Sequence, residues 1–209
     1  MERILPSAGI AALWAFVGLG AGAASAAAQG APSQPAAPDV QFISGMIVHH
    51  AQAVLMAGWA PTHDASPAVR ELCERIGISQ RDEIATMERW LNERHLALPD
   101  TAVGQSLGGA AMAGMPGMDP TMMPGMLSPA QLAQLDSARG PAFDRAFLTG
   151  MIQHHQGALT MVAQYMNAPS AGEDTFVFQF ASDVNGDQTA EIDRMRRMLA
   201  AMPPAPRSQ

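Results

Sequence analysis

Apolar side chains recur at intervals of three and four residues over most of the chain after residue 38. This spacing places them on one face of an α-helix. Capping residues and prolines divide the pattern, so we expect two long helices within residues 39–96, a short helix over 128–138, and two more long helices over 141–166 and 173–202. The pattern predicts an all-α protein.

One stretch of nine residues occurs twice in this pattern. Residues 42–50 read FISGMIVHH, and residues 147–155 read FLTGMIQHH. The helix after each copy also repeats, with Gln, Glu-Ile and Met at the same spacing in 80–87 and 188–195. We therefore expect one helix hairpin over 39–96 and a second, with a short leading helix, over 128–202. Two hairpins joined by a long crossover, here residues 97–127, are the parts of a ferritin-like four-helix bundle.

The segments outside the hairpins have other compositions. Residues 1–28 begin with Arg3, continue with a long uncharged run and end in small residues of the type found at cleavage sites. This is the layout of a secretory signal peptide. A retained membrane anchor is the alternative, because the run is long enough to cross a bilayer. Residues 29–38 read as a linker and 203–209 as a tail. We expect a periplasmic or secreted protein with no membrane contact after cleavage.

Charge and cysteine content narrow the classes of partner. The net charge is −7, and the basic residues are arginines spread singly along the helices, so nucleic acid is a poor candidate. An acidic chain suits a cation partner, although weakly. Cys73 is the sole cysteine, which excludes an intrachain disulfide, and its place on an apolar helix face indicates a core residue.

Polar residues interrupt the apolar faces at matching places in both hairpins. Winding the first helix of each hairpin at about 100° per residue puts His50 and His155 inside. Their neighbours His49 and His154 fall at the edge, each close to a methionine two turns on, which is Met56 in the first copy and Met161 in the second. The second helices carry their own polar residues within the apolar stripe, namely Gln80, Glu83, Gln188 and Glu191.

Two interpretations of these buried polar residues stand side by side, since a buried carboxylate needs a partner. In the first, His50 pairs with Glu83 and His155 with Glu191, forming a hydrogen-bonded network in a structural or interaction module without metal. In the second, a methionine one turn before His50 and another one turn before His155 each share a metal ion with that histidine. Those methionines are Met46 and Met151, and the Gln and Glu residues would then orient the imidazoles from outside the ligand set.

The crossover holds a further group of methionines in a Gly/Pro-rich segment with no helical period. Exposed thioethers on such a segment have no packing role, whereas several of them can close around Cu(I) or Ag(I). A hydrophobic lid packed over the bundle is the alternative. The residues are Met112, Met115, Met118, Met122, Met123 and Met126.

Known enzyme patterns are not found in the sequence. Carboxylate-bridged di-iron bundles need a Glu-x-x-His pair on two helices, and no Glu stands three residues before any His here. A His-Glu-x-x-His zinc motif is absent as well. We therefore expect a binding protein rather than an enzyme, and we expect His63 and His95, at helix ends, to be solvated.

The two Phe-x-x-x-Met-Ile-x-His-His helices, together with the two Gln-x-x-Glu-Ile-x-x-Met helices, resemble domain-of-unknown-function family 305 (DUF305). The resemblance covers nearly all of residues 39–202. It implies a ferritin-like bundle, export, and in some members binding of copper or silver through methionine and histidine. The positions it carries over are Met46, His49, His50, Met151, His154 and His155. This chain departs from the commoner pattern at Val48 and at Ala51-Gln52.

These observations together predict an exported soft-metal binder that sequesters or hands on metal. Copper is the expected ion, with Cu(I) favoured and silver as a second candidate. Metal ions are the expected partners.

Overall fold

The computed structural model describes residues 35–102 and 123–204, and these residues form five α-helices and no strand. Helices α1 and α2 make the first hairpin, α3 is the short leading helix, and α4 and α5 make the second hairpin. The bounds are Ala37–Gly58 for α1, Pro67–Glu93 for α2, Pro129–Ser137 for α3, Pro141–Met166 for α4 and Thr175–Ala201 for α5. The predicted all-α, ferritin-like class is confirmed.

Local signals explain where most of these helices begin. Ser66 caps α2 by accepting a hydrogen bond from the Val69 amide, and a proline follows at the first helical position. Ser128 and Gln131 form a reciprocal capping box at the start of α3. Helix α1 begins earlier than expected, because Ala37 and Pro38 belong to it rather than to the predicted linker.

The helices of the two hairpins run antiparallel across the bundle. Near the start of α1, Asp39 accepts a hydrogen bond from the Tyr165 hydroxyl at the end of α4, at 2.9 Å. Past the end of α1, the His63 ring lies 5.1 Å from the Phe143 ring at the start of α4. His63 is therefore buried, at 4% exposure, and the expectation that it is solvated is wrong. The chain folds back there and packs a helix-end residue against the next hairpin.

Apolar side chains of the bundle fall into two clusters. One, here the α3-side cluster, contains Leu132 and Leu135 of α3 with residues of all four long helices. The other, here the Trp90-side cluster, contains Trp90, Phe42 and Val177 among others. Along each long helix the histidine or the Gln/Glu pair lies between residues of one cluster and residues of the other. The polar residues thus form a layer across the middle of the bundle.

Helix α1 is buried on all sides where it passes through the polar layer. Every residue from Phe42 to Ala53 is buried, on all sides of the helix. An 18-residue window of this helix and the turn after it is apolar enough to span a membrane, with a mean hydropathy of 1.3, but 78% of that window is buried inside the bundle. Burial on all sides accounts for its apolar composition, because α2 covers one side and α4 another.

Candidate metal centre

Four histidines form the centre of the polar layer. His49 and His50 lie on α1, His154 and His155 lie on α4, and all four have zero solvent exposure. His49 and His154, which were expected at the edge of the apolar stripe, are as fully buried as His50 and His155. Winding one helix in isolation shows its apolar face, but it does not show that a second helix packs against the remaining face.

The inner contact of this layer joins two equivalent residues of the repeat. The His49 and His154 rings lie with centroids 3.8 Å apart and planes inclined by 36°. The neighbouring rings are farther away, at 6.4 Å between His49 and His50 and 6.2 Å between His154 and His155. Because equivalent residues touch, the pseudo-two-fold axis of the duplicated hairpin passes between His49 and His154.

His50 and His155, here called the outer histidines in contrast to the inner pair His49 and His154, each donate a hydrogen bond to a carboxylate of their own hairpin. The Nε2 atom of His50 lies 2.6 Å from Glu83, and that of His155 lies 2.7 Å from Glu191. These are the pairings that helical winding predicted. Burial, the largest single effect, raises the pKa of Glu83, but the hydrogen bonds from His50 and Ser79 and the attraction of His50 and His155 together outweigh it, and the pKa lies below its ordinary value. Both carboxylates are about one-fifth exposed, so they join the buried rings to the surface.

The inner histidines donate to backbone carbonyls. Nε2 of His154 lies 2.9 Å from the His49 carbonyl oxygen, and Nε2 of His49 lies 3.0 Å from the Pro124 carbonyl oxygen. A carbonyl can only accept, so Nε2 carries the proton in both rings. Burial lowers the pKa of His49 to about 3 and that of His154 well below its ordinary value, which keeps both imidazoles neutral. Their Nδ1 atoms therefore carry free lone pairs.

The second ring nitrogen of every histidine in the layer is buried without a partner. In the described part of the chain, no group makes a hydrogen bond to Nδ1 of His49, His50, His154 or His155. The side-chain oxygens of Gln80 and Gln188, which are 2% and 3% exposed, are buried and unpartnered in the same way. Buried polar atoms are normally satisfied, so this concentration indicates a site for a group that completes them.

Methionine sulfur is the other donor near this layer. Met46 and Met87 lie in the Trp90-side cluster, whereas Met56, Met151 and Met195 lie in the α3-side cluster, all with zero exposure. Met161 is half-buried against the Trp90-side cluster. Among residues 35–102 and 123–204, no group of three or more His, Cys, Asp or Glu side chains is arranged to hold a metal ion.

The crossover methionines divide at the limit of the described residues. Met123 and Met126 are half-buried in the segment that leads into α3. The other four, Met112, Met115, Met118 and Met122, lie outside the described residues.

Sequence reasoning missed the contact between the segment that leads into α3 and His49, in which the Pro124 carbonyl accepts a hydrogen bond from the His49 ring. A possible signal was the difference between Gln52 and Gly157, which are equivalent positions of the repeat.

Comparison with known proteins gives a family match that spans both hairpins. Residues 39–199 match the family described as domain of unknown function (DUF305). The chain belongs to the DUF305 family. A DUF305 fragment from Deinococcus radiodurans is 28% identical at a TM-score of 0.65, over 80% of this chain and 98% of that one. A candidate secreted DUF305 protein from Streptomyces coelicolor is 26% identical at a TM-score of 0.62, over 78% of this chain and 92% of that one.

Another similar structure is a copper complex. CopM has been solved in a Cu(II)-bound form, 28% identical at a TM-score of 0.57, and in a Cu(I)-bound form, 27% identical at a TM-score of 0.56. Each comparison covers 78% of this chain and 95% of CopM. An uncharacterized protein of Acanthamoeba polyphaga mimivirus is 40% identical over 58 residues, which are 28% of this chain and 38% of that protein. The predicted DUF305 membership is confirmed.

Proposed function

We propose that this DUF305 protein binds copper, with Cu(I) favoured and Ag(I) as a second ion, and sequesters or hands on the metal outside the cytoplasm. The observation that carries the proposal is the group of four buried imidazoles whose Nδ1 atoms have no hydrogen-bond partner in the described chain. A metal-binding imidazole commonly donates its other N–H to a carboxylate or carbonyl, which fixes the tautomer. All four rings have this arrangement.

The donor types fit a soft ion. Met46 precedes His50 by one helical turn, and Met151 precedes His155 in the same way, so each hairpin offers a thioether and an imidazole nitrogen on one helix face. Thioether and imidazole together suit Cu(I), whereas calcium and magnesium require oxygen ligands. His49 and His154, whose rings touch each other, each offer a further unpartnered Nδ1 atom next to these pairs.

A metal-free polar network is the competing interpretation. The hydrogen bonds from His50 to Glu83 and from His155 to Glu191 are what it requires. It gives no role to the four Nδ1 atoms, and a buried group that lacks a partner costs about 1–3 kcal/mol. Copper binding accounts for both the hydrogen bonds and the unpartnered atoms, so we favour it.

The similarities support the remaining parts of the proposal. CopM binds copper in two oxidation states, and the Streptomyces coelicolor protein is a candidate for secretion. We extend both properties to this chain, whose first 28 residues have the layout of a signal peptide. The proposal is for binding without turnover, with the crossover methionines gathering ions for the bundle.

Competition with a coloured Cu(I) chelator tests the proposal on the protein starting at Gln29. We expect the unaltered protein to take up Cu(I) and to unfold at a higher temperature when loaded. The double variant Met46→Leu/Met151→Leu keeps the core volume but removes two thioethers, so it should bind Cu(I) at least ~10-fold more weakly. Met166→Leu, at the end of α4, is the matched control and should bind as the unaltered protein does.

Two results would contradict the copper proposal. One is no uptake of Cu(I) or Ag(I) at about micromolar free metal. The other is equal binding by the double variant and the Met166→Leu control. Under the metal-free network, His50→Ala and His155→Ala would lower the melting temperature by the same amount with and without copper.

A further inference from the structure

The last residues of the crossover touch the histidine layer directly. Residues 123–127, here called the strap, run along α1 and α4, and the Pro124 carbonyl accepts the hydrogen bond from Nε2 of His49. The equivalent acceptor in the repeat would be the His154 carbonyl, since His154 donates to the His49 carbonyl. The pseudo-symmetry is therefore broken at this hydrogen bond. The acceptor for His49 comes from the strap and not from the His154 carbonyl of the second hairpin.

Two residues at equivalent positions of the repeat, Gln52 on α1 and Gly157 on α4, determine where the strap lies. Gln52 binds both backbone groups of Leu127, accepting from its amide at 2.7 Å and donating to its carbonyl at 3.2 Å. Gly157, the equivalent of Gln52, leaves room for the strap, because an added Cβ would clash with the Pro124 carbonyl and lie 2.6 Å from Cα of Gly125. Gln52 therefore fixes the strap by hydrogen bonds, and the lack of a side chain at Gly157 lets the strap backbone approach α4 closely.

Further packing fixes the strap between these anchors. Gly125 has a φ of +77°, and a Cβ there would lie 2.5 Å from the Gln153 carbonyl oxygen. The Leu127 side chain fits against Gly150, where an added Cβ would meet it at 2.9 Å. Gly125 and Gly157 thus allow a backbone-to-backbone approach that side chains would prevent. These contacts place the strap directly over His49.

We infer that the strap is a positioning element of the proposed copper centre: the Pro124 carbonyl holds the proton on Nε2 of His49 and fixes the ring, which leaves Nδ1 as the nitrogen that would be available to a metal. The inference rests on the proposed copper binding. His154 is oriented by the bundle backbone, so its geometry is independent of the strap. The crossover that carries the methionines is in this way coupled to one histidine of the inner pair and not to the other.

The experiment uses the metal-free protein first, in which nitrogen NMR of the imidazoles reports each ring separately. Gly157→Ala should unseat the strap, so the Nε2–H of His49 should exchange with solvent at least ~10-fold faster while the Nε2–H of His154 stays protected. Gly186→Ala is the matched control, because this helical glycine has nothing within 4 Å of an added Cβ. It should leave both rings unchanged.

The same variants then separate positioning from copper binding. Gly157→Ala should bind Cu(I) at least ~10-fold more weakly than Gly186→Ala. If Gly157→Ala does not fold, Gln52→Ala decides, since it removes both hydrogen bonds to Leu127 and should affect His49 alone. Unchanged His49 exchange in both Gln52→Ala and any folded Gly157→Ala protein overturns the inference, as does unchanged Cu(I) affinity. Loss of His49 protection in a protein that binds no copper would contradict the proposed function instead.

Discussion

Among the residues that the structure describes, each histidine of the layer has one ring nitrogen with a hydrogen-bond partner and one without. The unpartnered nitrogens cost free energy in the metal-free fold, about 1–3 kcal/mol for a buried group of this kind. Met46 and Met151 offer sulfur from the same helix faces, where neither sulfur has any access to solvent. A bound ion would turn this cost into coordination bonds, so we expect the metal-free bundle to be less stable than its packing alone suggests.

The two outer histidines differ in how their carboxylates are supported. Glu83 accepts a hydrogen bond from Ser79 at 2.9 Å. The position equivalent to Ser79 in the repeat is Asp187, one turn before Glu191. Burial and the nearby carboxylates of Glu83, Asp183 and Glu191 raise the pKa of Asp187. The second hairpin thus has a repulsive neighbour where the first has a donor.

We predict that Asp187→Ser stabilises the protein. The hydroxyl would donate to Glu191 as Ser79 donates to Glu83, and the repulsion would disappear, for a gain of about 0.5–1.5 kcal/mol at neutral pH. Urea unfolding measures the change. Asp183→Ser is the control, and an equal gain from it would show that reduced net charge, rather than the new hydrogen bond, is responsible.

Helical winding predicted the outer pairs but not the inner pair. His50 and Glu83 lie on faces that each helix shows by its own sequence, so their meeting follows once the hairpin is assumed. The burial of His49 depends on α4 and on the Pro124 carbonyl, which are 75 or more residues away in the chain. No periodicity within α1 contains that information.

At the scale of the elements, α3 is held to the bundle by His63. Its Nε2 atom lies 2.8 Å from the Asp136 carbonyl oxygen and 3.1 Å from the Asp136 carboxylate. The His63 carbonyl in turn accepts from the Gly140 amide at 2.9 Å. These contacts fix the turn between α3 and α4 against the turn between α1 and α2, so one residue joins the two hairpins away from the histidine layer.

We predict that His63→Asn lowers the free energy of unfolding by about 2 kcal/mol, because it removes the hydrogen bonds to Asp136 and the packing on Phe143. Guanidinium unfolding measures the loss. His95→Asn is the matched control, since His95 is exposed at a helix end and asparagine tolerates its positive φ of 55°. A comparable loss in both variants would mean that the contacts of His63 do not hold α3.

At the scale of the whole molecule, the duplicated hairpin explains both what could be predicted and what could not. The repeat implies that equivalent faces meet about a pseudo-two-fold axis, and the contact of His49 with His154 follows from that symmetry. The strap breaks the symmetry, and Val48 and Gln52 differ from Gln153 and Gly157, their equivalents in the repeat. Position-by-position differences between the repeats therefore carry the information that the repeat itself lacks.

The pH dependence of the metal-free protein tests the buried layer as a unit. The folded pKa of His49 is lowered from 6.5 to about 3, and His154 is shifted in the same direction, both chiefly by burial. The unfolded chain therefore binds protons first, and stability falls as pH drops below 6.5, by about 1.4 kcal/mol per pH unit for each such histidine. Glu83, whose folded pKa is lowered, adds a loss in the same direction at lower pH.

Asp39 and Asp187 oppose this trend, because burial raises their folded pKa values and this favours the folded state as pH falls, but their ordinary pKa of 3.8 lies far below the 6.5 at which the histidines begin to act. We therefore expect the free energy of unfolding from urea titrations to fall steeply from about pH 7 to pH 5. His154→Gln should reduce the slope by one proton, and the exposed control His95→Gln should leave it unchanged. A slope that is the same in all three proteins would mean that the inner histidines are not buried in the neutral state, which would contradict the proposed copper binding.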